Sequence, residues 1–349
     1  MKRKRTSAAD PTPIRVVIVT LDNHLSGVMT RAETTLRRQL RGLELRTHAA
    51  STWEADAGAL QECLDDIAGG DIILVTMLFM ENHINAVLPA LTARRDDCDA
   101  MICCMSAPEV MRLTRMGRFR MDGEQSGPVA LLKRLRGSSR GSRQSTGAQR
   151  LSVLRQLPRI LRFIPGTAQD VRAYFLTLQY FLAGSEENMQ GLVAFLIDRY
   201  AGGAREGLRG RCRVNAPIEY PELGVYHPGL EHRISARASD LPRRRRGCSG
   251  TVGVLIMRSY ALAGNTEHYD QVIQQLEARG LAVITAFASG LDARPAVERF
   301  FMRNGQPVVD AVLSLTGFSL VGGPAYNDAS AAEEMLAELD VPYLAAQAL

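Results

Sequence analysis

The chain has 349 residues, 46% of them hydrophobic, and a formal net charge of +5, enough for two packed domains and unlike a disordered or fibrous protein. No run reaches the roughly 18 to 20 apolar residues of a membrane helix, and the basic head "MKRKRTSAADPTPIR" has no apolar stretch behind it, so a cytoplasmic protein without membrane span or secretory leader is expected. Of the 42 basic residues three are lysine (Lys2, Lys4, Lys133) and none of these follows a glycine, which excludes a Walker A loop and assigns any ATP hydrolysis to a partner.

Residues 1–13 are expected to be disordered, and an N-terminal α/β domain to span 14–130. "IRVVIVT" (14–20) predicts a buried strand, followed by a helix near 28–41, a strand "LELRTHA" (43–49) and a helix over 53–68. The pattern repeats with "DIILVTMLF" (71–79), a helix 81–91 that Pro89 should end or interrupt, and "AMICCM" (100–105). Continuous apolar strands alternating with helices predict a parallel sheet covered on both faces. The six cysteines form no CxxC pair, which argues against zinc and against a disulfide framework.

Between Gln125 and Gln169 stand nine basic residues and no acid. Residues 131–157 are expected to be a basic flexible loop, since "GSSRGSRQSTGAQR" has a linker's composition. A nucleic-acid arm is the competing reading, but no aromatic stacking residue precedes Phe163, so a partner-facing loop is preferred and no nucleic acid is expected. Residues 158–245 read as a helical and irregular connecting segment. Val171, Tyr174, Phe175 and Leu178 share one helical face, and Ser185 is placed to cap a second helix carrying Leu192, Val193, Leu196, Ile197 and Tyr200.

A domain boundary is expected near 240–250, and 246–349 reads as a second α/β unit. Its strands are 251–257, 281–288, 308–315 and 342–346; its helices are 268–280, with Gly280 just beyond the end, 295–302 and 329–339. The chain ends on "LAAQAL" without a closing helix, as if cut within a domain. The fold class is therefore α/β: two Rossmann-like parallel-sheet units joined by a helical and loop-rich segment, the second truncated.

Ligands of open parallel sheets bind beyond the carboxyl ends of the strands. None of the loops there carries G-x-G-x-x-G. His24, His83 and His227 read more readily as turn, surface or structural residues than as ligands. Two loops stand out. "RSYALAGNTEHYD" (258–270) gathers Arg258, Asn265 and His268 beside a helix N-terminus that suits an anion, although Asn265 or Thr266 as a plain cap explains part of it. "LTGFSLVGGPAYND" (315–328), with Gly322 and Gly323, is apolar and glycine-rich, as a wall against a flat ligand or a closely packed backbone would be.

The stretch from "RSYALAGNTEHYDQVIQQLEARGLAVITAFASGLDARPAVERFF" through "VDAVLSLTGFSLVGGPAYNDASAAEEMLAELDVPYLAAQ" resembles the large, porphyrin-binding subunits of the magnesium chelatase and cobaltochelatase family. "GDIILVTMLFMENHINAVLPAL" and "LRFIPGTAQDVRAYFLTLQYFLAGSEENMQGLVAFLIDRYA" are similar to the N-terminal part of the magnesium enzymes' H subunit. The resemblance covers nearly the whole chain but about the first third of such a subunit. It implies ATP-dependent insertion of Mg²⁺ into protoporphyrin IX in chlorophyll or bacteriochlorophyll synthesis, with two AAA+-type partner subunits, I and D, hydrolysing the ATP. It supplies no catalytic residue and no resident metal site, and this stretch alone is expected to be inactive. The alternatives it leaves are a cobaltochelatase large subunit and a non-catalytic tetrapyrrole-binding or partner-docking module.

Overall fold

Four apolar runs pair in parallel, as the sequence predicts, in a computed structural model that describes residues 10–21, 23–121, 158, 161–242, 247–323 and 326–346. Strands β1 (Ile14–Thr20), β2 (Leu43–Ala49), β3 (Ile72–Thr76) and β4 (Ala100–Cys104) lie in the order β2-β1-β3-β4. Ile14 stands opposite Leu43, and Val16 opposite Ile72. An antiparallel hairpin that the sequence reading missed, β5 (Arg115–Met116) and β6 (Phe119–Arg120), extends this sheet beyond β4. The expected basic loop, 131–157, lies outside the described residues.

Helices α1 (Ser26–Leu36), α2 (Ala57–Gly69) and α3 (Glu81–Arg94) follow the first three strands, and a single turn, α4 (Pro108–Met111), follows β4. Asp56 caps α2 by accepting from the Gly58 and Ala59 N–H groups. Helix α3 runs through Pro89, contrary to expectation. Pro89 and Asn85, whose carbonyl loses its intrahelical donor, are both exposed, so that bond can be made to solvent instead. Val17, Val19, Ile73, Val75, Met101 and Cys103 point to one face and make a core with residues of α2 and α3.

Val16, Ile18, Leu74 and Ile102 point to the other face and are equally buried. Helices α5 (Thr167–Ala183) and α6 (Glu186–Tyr200) belong to this same unit, with α6 packed against α1 and β3. They are a layer of the first unit and not a connecting segment. Ser185 caps α6 through the Asn188 N–H, as its position predicts. Nor is the whole of 1–13 without structure: Asp10 exchanges backbone hydrogen bonds with Gln39 and Gly42, and its carboxylate lies 3.1 Å from Arg211 Nη2.

The chain divides by contacts between Ile218 and Glu219, earlier than the expected 240–250. The reason lies in β7 (Leu223–Tyr226) and β8 (Ile234–Ser235), which add antiparallel strands to the second sheet. That sheet also contains β9 (Gly250–Leu255), β10 (Leu281–Ala288), β13 (Ala311–Ser314) and β16 (Tyr343–Ala345), in the order β16-β13-β9-β10-β7-β8. Between them lie α7 (Arg258–Ala263), α8 (Glu267–Ala278), α9 (Arg294–Phe300), α10 (Ala329–Leu339) and two short hairpins, β11–β12 (302–307) and β14–β15 (322–327). Gly280 follows α8 at φ +78°, the left-handed position that ends such a helix. Among the described residues no helix is long and apolar enough to cross a membrane.

Candidate functional site at the carboxyl edge of the second sheet

From β9 the chain passes to β10 on one side and later returns to β13 on the other, so the connections diverge at β9 and leave a crevice at the carboxyl ends. A shallow depression, open to solvent, lies there. Leu255, Ile256 and Met257 line it from the end of β9, Phe287 and Ala288 from β10, and Gly290, Leu291 and Ala293 from the loop that follows. Thr316, Phe318 and Ser319 complete it from the loop after β13. No lining residue is charged.

The cleft owes its shape to two loops joined along their backbones. Gly322 N–H donates to the Leu291 carbonyl at 2.8 Å, and Ala293 N–H to that of Leu320 at 2.9 Å. A Cβ at Gly323 would stand 2.4 Å from Leu291 Cδ1, so glycine there is what lets Leu291 lie against the wall. The Thr316 hydroxyl accepts from the Phe318 N–H and lies 3.1 Å from Ser314 Oγ, while Ser319 Oγ donates to Asn327 Oδ1. These bonds set the polar edge of an otherwise apolar wall. The lining is apolar and carries no carboxylate, imidazole or ammonium group for proton transfer.

Of the five residues singled out from sequence, the structure gathers Gly322 and Gly323 behind this wall and sets the other three elsewhere. Arg258 opens α7 and donates to the Pro221 carbonyl at 2.9 Å and the Tyr220 carbonyl at 3.2 Å, tying down the segment that enters β7. Asn265 is exposed, and its N–H donates to the Tyr260 carbonyl. His268 packs against Tyr269, ring centroids 3.9 Å apart, and burial lowers its pKa while Asp270 opposes that shift.

The expected cap of α8 also differs. Thr266 stands at the N-cap without a side-chain cap bond; its buried hydroxyl accepts instead from Arg233 Nη1 at 2.9 Å. Arg233 reaches Asp270 Oδ2 at 3.1 Å as well, and Asp270 accepts from the Tyr226 hydroxyl. Sequence reasoning missed Arg233 because its partners lie more than thirty residues away. His227 is structural: Nδ1 accepts from the Gly229 N–H at 3.0 Å, which leaves Nε2 to donate to Glu277 at 3.1 Å. His83 is buried, edge-on to Trp53, and not a surface residue. Burial pushes the Cys63 and Cys104 thiols up to about 12, which removes them as nucleophiles at neutral pH.

A family profile described as CobN/Magnesium Chelatase matches residues 178–349, and one described as Domain of unknown function (DUF3479) matches residues 15–175. The magnesium-chelatase H subunit of Cereibacter sphaeroides is 47% identical over 96% of this chain. The chain belongs to the family of magnesium-chelatase H subunits. Another member, the magnesium-chelatase H subunit of Rhodobacter capsulatus, is 45% identical over 97% of the chain, and the chloroplastic magnesium-chelatase ChlH protein of Oryza sativa subsp. japonica is 31% identical over 95%. The chain spans 28% of the length of each bacterial relative and 25% of the rice protein. A solved structure titled Catalytic Subunit of Cobaltochelatase from Mycobacterium tuberculosis aligns with 97% of the chain and 22% of its own at 18% identity and a TM-score of 0.44, too low to establish a shared fold. In this member of the magnesium-chelatase family the boundary between the two profile matches falls inside α5, well before the contact boundary at Ile218.

Proposed function

We propose that this chain is the N-terminal part of the porphyrin-binding large subunit of a magnesium chelatase. In that reading the cleft at the end of the second sheet is a wall for the apolar edge of protoporphyrin IX. The observation that carries the assignment is the 47% identity to a magnesium-chelatase H subunit sustained over 96% of the chain. It favours the magnesium enzyme over a cobaltochelatase, because the match extends through the first unit as well as the second.

The reaction replaces two pyrrole protons by Mg²⁺, a tightly hydrated ion, in a macrocycle that must distort to admit it. Each of these steps opposes insertion, which gives coupling to ATP hydrolysis a physical role. With no Walker A lysine in the chain, hydrolysis falls to two partner subunits of the AAA+ type, I and D, and the assembly works in the cytoplasm. Porphyrin and Mg²⁺ are substrates. The uncharged cleft contributes binding and orientation, while the proton acceptor belongs to parts of the large subunit beyond this chain.

The test uses the complete gene product with its two partners, protoporphyrin IX, Mg²⁺ and ATP, followed by fluorescence of the magnesium porphyrin. Absence of product with the complete set overturns the assignment. The cleft is tested by Gly323→Ala, whose methyl pushes Leu291 into the space: porphyrin affinity in an absorbance titration should fall by about fivefold. Unchanged affinity removes the cleft from the site.

A further inference from the structure

The most solvent-exposed large apolar side chain among the described residues is Phe163, at 83%, with Ile164 beside it at 42%. A benzyl group so exposed on an unstructured segment would be unremarkable, but this one stands on a fixed turn. The Gln169 carboxamide, from the first turn of α5, donates to the Leu161 carbonyl at 2.9 Å and also to the carbonyls of Arg162 and Ile164. Ile164 N–H closes the turn on the Leu161 carbonyl at 3.2 Å, and the buried Leu161 side chain anchors its base. These carbonyls share the two N–H groups of one amide, which leaves the turn little freedom to fold Phe163 back onto the protein.

Basic residues flank the turn. Arg162 is exposed on the turn itself. Arg172, one helical turn further, donates to the Pro158 carbonyl at 3.0 Å, and burial first, then Arg162 and Arg199, push its guanidinium below its ordinary pKa. Asp170 is paired with Arg199 at 3.1 Å and also accepts from the Tyr200 hydroxyl at 3.2 Å and from the Arg118 N–H at 3.0 Å, so the positive charge left beside the turn is that of Arg162 and Arg172. The sequence leading in, from Gln125 to Gln169, contains no acidic residue at all.

An exposed aromatic side chain on a held turn flanked by arginines has the composition of an interface hot spot, where preorganisation spares the ordering cost of binding. We infer that the turn at 161–166 is a preformed docking anchor for an acidic protein surface bearing an apolar pocket, and that the surface belongs to the ATP-hydrolysing partner. The choice of partner rests on the proposed function; the chemistry of the surface does not. A chain without a nucleotide-binding lysine receives ATP-driven work through a protein contact, and charge complementarity requires that contact to be acidic.

The experiment measures binding of the complete large subunit to the two purified ATPase subunits by calorimetry at low and at about 0.3 M salt, for wild type, Phe163→Asp, Phe163→Leu and Arg162→Glu. Phe163→Asp is expected to weaken binding at least tenfold with an unchanged melting temperature, and Phe163→Leu to restore most of it. Arg162→Glu should weaken binding and flatten its salt dependence. Undiminished binding by Phe163→Asp overturns the inference. So does a fall in the melting temperature of the Phe163 variants, which would place the ring under other parts of the same polypeptide. Loss of sedimentation with phosphatidylglycerol vesicles in Phe163→Asp, with subunit binding intact, overturns it in favour of a lipid surface. Magnesium insertion by wild type, run alongside, separates the two claims: binding that depends on Phe163 without insertion defeats the proposed function and leaves the docking surface standing.

Discussion

Arg258 shows how a residue that attracts attention in sequence is committed once the chain folds. Its guanidinium holds the Pro221 and Tyr220 carbonyls, a partly buried pair of charge-assisted bonds. Arg258→Ala is therefore expected to cost about 1.5 to 3 kcal/mol in denaturant unfolding while leaving porphyrin affinity unaltered; the reverse pattern would return it to the ligand site. His268 contributes through its own protonation. Burial lowers its pKa below the ordinary 6.5, so just below that pH the unfolded chain binds more protons than the folded one. The contribution is complete above about pH 6.5 and is lost as the pH falls through the folded value. His268→Gln should flatten the melting temperature's dependence on pH between about 5 and 7, and an unchanged slope would show that the ring titrates normally.

At the level of elements, strand positions were legible and several helix ends were not. β1, β2 and β10 coincide with their predicted spans: β1 and β10 read as nearly unbroken apolar runs, while β2, at the edge of its sheet, buries Leu43, Leu45 and His48 and leaves Arg46 exposed. Helix α10 coincides too, capped by Asp328 through the Ala331 N–H. Helix α3 passes through Pro89 because the cost falls on an exposed carbonyl, a circumstance invisible in the sequence. Pro89→Ala restores that bond and should raise stability by about 1 to 2 kcal/mol, read as a higher denaturant midpoint. A lower midpoint would mean that Pro89 stabilises α3 where it stands. The hairpin β5–β6 and the strands β7 and β8 escaped notice for a different reason: at two to four residues each they are too short to show a period.

For the whole molecule, the consequential rearrangement is that α5 and α6 close the first unit. A truncation ending before Thr167 would leave the Val16, Ile18, Leu74 and Ile102 face without these helices. Residues 1–218 are expected to unfold cooperatively, and residues 1–160 to bind the dye ANS and lack a sharp transition; a sharp transition in the shorter piece would show that α1 alone suffices. Composition and apolar periodicity determined by themselves the α/β class, the parallel part of each sheet and the absence of a nucleotide-binding lysine, since each is written in local residue order. Quoted motifs were enough to point to the chelatase family. What tertiary structure alone decided is which segments share a core and which side chains share a site. The divide at Ile218, the engagement of Arg258 with carbonyls 37 and 38 residues earlier, and the packing of Leu291 against Gly323 all depend on approaches between distant residues. Such approaches leave no period in a sequence, because the energy that fixes them comes from burial and hydrogen bonding formed after the chain has turned back on itself.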